Sequence, residues 1–165
     1  MRRDVAGRDI DEATAFYADL HNAHRVALTP VGRAFSYRVR AVGDVSMTLR
    51  SSALTANRWG RIEPDGQYFL TWAQGGSAAI DAGTDQEQVL TPGVAAMYPT
   101  GRAFTLEAPA GVVLHAVDFD ATFLEALDAE RRRADPRLLC FDTQARPDAL
   151  DVLQRRLAAA APSCC

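Results

Sequence analysis

Lysine is absent from these 165 residues, so all 18 basic side chains are arginine. The bias reads as the mark of a GC-rich genome and points to no mechanism. Histidine and cysteine are scarce, at three each. Cys140, Cys164 and Cys165 are odd in number and crowd toward the end, which suits a reducing compartment rather than a disulfide framework. No apolar run approaches the roughly 20 residues of a membrane span, and the opening MRRDVAGRDIDEA lacks a signal peptide's apolar core. A cytoplasmic protein without a membrane partner is expected. A basic excess is missing too. The net charge of −3 and pI near 5.6 argue against a chain built to neutralise a phosphate backbone. The longest basic run, Arg131 to Arg133, falls at the end of a helical pattern, where cations complement the helix dipole.

The remaining composition, 48% hydrophobic and 24% charged, is that of a globular chain of one domain's length. Asp9 and Glu12 have capping-box spacing, and Ala13, Phe16, Tyr17 and Leu20 follow at helical intervals, which predicts a helix over 10–22. From Phe35 the period becomes two. Phe35, Tyr37, Val39 and Ala41, then Val45, Met47 and Leu49, alternate with polar residues on either side of Gly43-Asp44, which predicts a hairpin with one buried face. Short strand-like runs follow at 54–62, 67–74, 77–82, 86–91, 94–98, 102–108 and 112–119, divided by Gly- and Pro-containing turns. Pro92-Gly93 turns the chain into one such strand, and Pro99 to Gly101 turns it out again. Roughly nine regularly punctuated strands indicate a β sandwich or barrel. After Phe119 the pattern is helical. Asp120 can cap a helix carrying Phe123, Leu124 and Leu127, and Pro147 opens a second over 148–161 that Pro162 ends.

The runs YFLTWAQGGSAAI (68–80), LTPGVAAMYPTGRAFTL (90–106) and HAVDFDATFLEAL (115–127) together resemble the N-terminal regulatory domain of AraC-type transcription activators. The shared pattern is a strand beginning at an aromatic, a glycine turn, Pro-Gly, four small apolar residues, aromatic-Pro, and a strand ending in Phe that opens a helix. It covers roughly residues 26–160. The resemblance implies a mainly β, cupin-like jelly-roll barrel with a short N-terminal helix and C-terminal helices. Residues 1–25 would be an N-terminal helical segment, 26–119 the effector-binding core, and 120–165 a helical region of the same domain. It also implies a bacterial sensor that takes a small-molecule effector, pairs as a homodimer in the full-length regulator, and meets DNA only through a helix-turn-helix domain that this sequence does not contain. An excised sensor domain is the expectation, with a shortened natural relative as the alternative.

Cupin enzymes hold a metal with two His and a Glu on one strand and a His on a later one. Here His21 and His24 lie at the end of the predicted first helix and beyond it, and only His115 is on a strand, so no metal, no cofactor and no catalytic residue are expected. No Gly-x-Ser-x-Gly elbow appears either. A binding pocket is the better hypothesis. Tyr68, Leu70 and Trp72 share one strand face. By the resemblance, Phe104, Leu106, Leu114 and Ala116 take positions where an arabinose-sensing member places polar pocket side chains, His115 faces out, and Arg61 falls at an effector-contacting arginine. A sugar would lose its hydrogen-bond partners among these apolar residues, at about 1–3 kcal/mol for each buried unpaired group. The expected effector is therefore apolar or aromatic, with a carboxylate for Arg61 as an option. The competing reading fills the barrel with Tyr68, Trp72 and Phe104 as core and leaves Arg61 a solvated strand-end charge. A stand-alone cupin-like enzyme and a ligand-free assembly domain are the alternative functions.

Overall fold

The structure is a computed structural model and describes residues 1–20, 23–98, 101–131, 152 and 155. Strand β1 (Arg2–Gly7) precedes helix α1 (Ile10–Leu20), which starts where Asp9 Oδ1 accepts the backbone N–H groups of Asp11 and Glu12 at 2.8 and 3.0 Å. Strands β2 (Ala23–Pro30), β3 (Tyr37–Gly43) and β4 (Met47–Leu54) follow. The β3–β4 turn requires glycine, because a β-carbon at Gly43, with φ +156°, would lie 2.1 Å from the Met47 carbonyl oxygen. Asp44 Oδ1 completes the turn by accepting the N–H groups of Ser46 and Met47.

From β4 onward the chain changes sheet at almost every connection. β5 (Ala56–Ile62), β7 (Ala78–Ile80), β8 (Gln88–Leu90) and β10 (Phe104–Ala108) belong to one sheet, and β6 (Gln67–Gln74), β9 (Ala95–Tyr98) and β11 (Val113–Asp120) to the other. The result is a six-stranded sheet ordered β1-β3-β4-β11-β6-β9 and a five-stranded sheet ordered β2-β5-β10-β7-β8, with every pairing antiparallel. Two facing antiparallel sheets wound in this way form a cupin-like jelly roll, mainly β as expected. Helix α2 (Ala121–Arg131) leaves the end of β11 with Asp120 Oδ1 accepting the Phe123 N–H at 2.9 Å. Of the second C-terminal helix expected over 148–161 only Val152 and Arg155, both helical, are described, and the three cysteines and Pro99 and Thr100 of the expected exit turn lie outside the described residues.

Two apolar plugs occupy the space between the sheets. One gathers Phe69, Ile80, Leu90, Tyr98 and Phe104. The other gathers Ala13 and Tyr17 of α1 with Tyr37, Val39 and Leu54. Three expectations are corrected. The described strands number eleven rather than nine, because β1 and β2 were unsuspected: RRDVAG carries a single large apolar residue, and AHRVALTP puts His24, beyond the helix as expected, on a strand, where only His115 was expected to be. The segment before residue 26 is consequently not only helical. The third correction concerns β4, where the polar side is the inner one. Val45 is 94% and Met47 42% exposed, while Arg50 is 6% exposed, because the register sets Arg50 beside inward-facing Ala41.

Candidate functional site

Small side chains leave a gap between the plugs. Pairing across the six-stranded sheet aligns Ala41, Arg50, Ala116, Thr71 and Ala96 in one inward row. The facing row is Val26, Gly60, Leu106 and Ile80. Sheets pack about 10 Å apart, and alanine, threonine and glycine do not span that distance. A cavity of about 80 Å³ remains, with Thr71, Ala116 and Gly60 in its wall and Leu28, Leu106 and Leu114 as apolar lining. Gly60 holds space open rather than relieving backbone strain. A β-carbon there would meet only the Arg25 carbonyl oxygen at 3.6 Å, an ordinary contact. Gly60 keeps step with the inward residues Arg58 and Ile62, so any side chain at 60 would project into the cavity.

Two buried arginines also line this apolar space. Arg50 Nη2 donates to Asp118 Oδ1 at 2.5 Å and Nη1 to the Leu20 carbonyl at 3.3 Å, and its guanidinium lies 5.6 Å from the Phe69 ring centroid. Burial pushes the Asp118 carboxyl above its ordinary range and outweighs the opposing attraction of Arg50. Arg58 reaches across from the five-stranded sheet. Its Nη1 donates to Ser52 Oγ at 2.7 Å, and its Nη2 to the carbonyls of Val112 at 2.6 Å and Ser52 at 3.4 Å. None of these acceptors is a carboxylate, and burial pushes the guanidinium down to about 10, still cationic at neutral pH. The Nε atoms of both arginines are buried without a partner among the described residues. Ser52 Oγ also lies 2.6 Å from the Tyr17 hydroxyl, which hooks α1 onto the cavity wall. Burial raises the Tyr17 phenol, with the Ser52 hydrogen bond acting in the opposite direction.

Of the eight residues singled out from the sequence, the structure brings Phe104, Leu106, Leu114 and Ala116 to the cavity. Tyr68, Leu70 and Trp72 share a face, but it is the outer one. β6 pairs with β11 as Tyr68–Phe119, Leu70–Val117 and Trp72–His115, so these side chains lie opposite to Leu114 and Ala116. There Trp72 packs with Ala95 and Val117, its ring stacks at 5.3 Å on His115, and Tyr68 donates to Glu125 Oε1 on α2 at 2.9 Å. Arg61 is also external. Its side chain is 51% exposed and pairs with Glu63 at 3.4 Å, because strand alternation turns it away from Gly60 and Ile62. The sequence reading missed Arg50, Ser52, Arg58 and Tyr17. Arg58 carries a signal that could have found it, since it keeps step with Ala56, Gly60 and Ile62 on the inward side of β5.

Among the described residues no group of three or more His, Cys, Asp or Glu could hold a metal, and no helix is long and apolar enough to cross a membrane. His115 faces outward as expected, bonded through Nε2 to Gln74 Oε1 at 2.9 Å, and burial lowers its pKa.

No protein-family model and no curated protein matches the chain. Solved structures do. The AraC-like transcriptional activator CuxR is 14% identical, with a TM-score of 0.53 over 78% of this chain and 51% of that one. An oxalate decarboxylase, 14% identical, superposes with a TM-score of 0.43 over 62% of this chain and 29% of its own. The Cnp3 cupin domain of Schizosaccharomyces pombe is 11% identical, with a TM-score of 0.42 over 60% and 72%. The likeness to the activator is one of fold, and the chain spans about half of its length.

Proposed function

We propose that the chain is the effector-sensing domain of an AraC-type bacterial transcriptional regulator. A small, largely apolar molecule enters the cavity between the sheets. Its arrival changes how the domain docks on a DNA-binding partner domain or pairs with a second copy. The reading assigns the chain no catalysis. One observation carries it: a space kept open by Gly60, Thr71 and Ala116, with two buried guanidinium groups in its wall. A core built only for stability would close such a space, because each unfilled volume costs packing energy. The fold likeness to an AraC-like activator is consistent with this role.

A thermal-shift screen of the chain against a metabolite library tests it. A ligand present at 100 times its Kd adds about 2.7 kcal/mol to the native state and raises Tm. The isolated chain is also expected to show no sequence-selective retention on duplex DNA at low salt. A screen in which nothing shifts Tm favours the ligand-free assembly domain, and selective DNA retention refutes the sensory reading.

A further inference from the structure

The charge inside the cavity does not balance. Two guanidinium groups line it, and the one carboxylate bonded to either among the described residues is Asp118, on Arg50. Arg58 is bonded only to a hydroxyl and two carbonyls, and it is 9% exposed. An unneutralised buried cation is costly, and an anion in the adjoining space would offset the cost. The two arginines are also close in the fold. Arg50 and Ser52 sit two apart on the same face of β4, and Ser52 is where Arg58 docks. Each arginine has its Nη groups engaged and a buried Nε without a partner among the described residues. Two guanidinium groups with hydrogen-bonding capacity to spare and one carboxylate between them favour a further anion.

Apart from the hydroxyl-bearing Tyr17, Ser52 and Thr71, the remaining lining is largely hydrocarbon, and the cavity of about 80 Å³ is small. At about 30 Å³ per water it holds on the order of three waters, which corresponds to the shortest acids, of roughly two to three carbons. A net single positive charge calls for a monoanion. We propose that the cavity is a site for a short-chain aliphatic monocarboxylate, its carboxylate beside the guanidinium groups of Arg50 and Arg58 and its chain against Leu106, Leu114 and Ile80. This assignment rests on the sensory reading above and names its ligand class.

Isothermal titration of the whole chain with acetate, propionate, butyrate and pentanoate, each beside its neutral amide, tests the assignment. At least one acid is expected to bind about 10- to 100-fold more tightly than its amide, the factor a charge-assisted hydrogen bond supplies. Arg58→Met should remove that preference. Gly60→Leu should abolish binding while leaving both arginines in place. If either variant fails to fold, the acid-against-amide comparison in the unaltered chain still decides. Equal affinity for acid and amide, no binding of any acid, or an acid preference that survives Arg58→Met overturns the assignment. A neutral compound that raises Tm in the metabolite screen would leave the sensory reading standing, whereas a screen with no responder removes both.

Discussion

The two faces of the six-stranded sheet come from the same strands and are built on opposite plans. Outward, Leu49, Leu70, Trp72 and Val117 pack into a tight apolar layer in which Trp72 is 6% and Val117 1% exposed. Inward, the same strands present Arg50, Thr71 and Ala116, small or charged residues that leave a void. At this level of the sheet bulk lies on the outer face, and the inner face carries it only in the two plugs that flank the void. The contrast teaches that side-chain volume, more than hydrophobicity, separates a packing face from a cavity wall.

Breaking each face in turn sharpens the contrast. Asp118→Ala strands the Arg50 cation in the interior, and urea unfolding should show a loss of about 3–5 kcal/mol. Replacing the pair together, Arg50→Met with Asp118→Leu, should return stability to within about 1 kcal/mol of the parent or above it. A double variant as unstable as the single one would show that the pair itself supports the fold. On the outer face, Trp72→Ala should cost about 3–5 kcal/mol at most, by loss of packing alone. Its distinguishing mark is that ligand-induced Tm shifts persist. Their loss would place Trp72 in the binding machinery after all.

The smallest effect is a pH dependence. Burial depresses the folded-state pKa of His115, so the unfolded chain takes up its proton first as pH falls. Stability from this group is therefore present above the ordinary histidine value of about 6.5 and declines as pH drops through it toward the lower folded-state value. His115→Phe preserves a ring against Trp72 and should flatten the Tm profile over that window. An unchanged slope would assign the dependence to other groups.

Much of the fold was legible because turns announce themselves. Gly43, Gly66, Gly93 and Gly111 mark strand ends, and Asp9 and Asp120 cap the helices the periodicity implies. The strands that escaped notice lie at sheet edges, where β1 and β2 each have a neighbour on one side only and need less apolar content. The site was legible in half. β10 alternates cleanly, with Phe104 buried and Glu107 exposed, so its parity could be read. β6 is apolar on both faces, with Tyr68 and Trp72 outward and Phe69 and Ala73 inward, and alternation there carries no orientation. Arg50 reads as a surface residue because its burial depends on Asp118, a partner from a distant strand that local pattern cannot reveal, whereas the inward parity of Arg58 with Ala56 and Ile62 was there to be read.

Ser52 joins the cavity wall to the N-terminal helix, as Arg50 does through the Leu20 carbonyl. The serine oxygen stands 2.6 Å from the phenol of Tyr17 and 2.7 Å from the guanidinium of Arg58, so one hydroxyl rotor serves both. Whatever draws the arginine aside alters the bond that anchors the N-terminal helix, and a displaced helix alters the field the arginine feels. By reciprocity the free-energy change is the same in both directions. A message from the interior could therefore leave through α1 without any strand having to move.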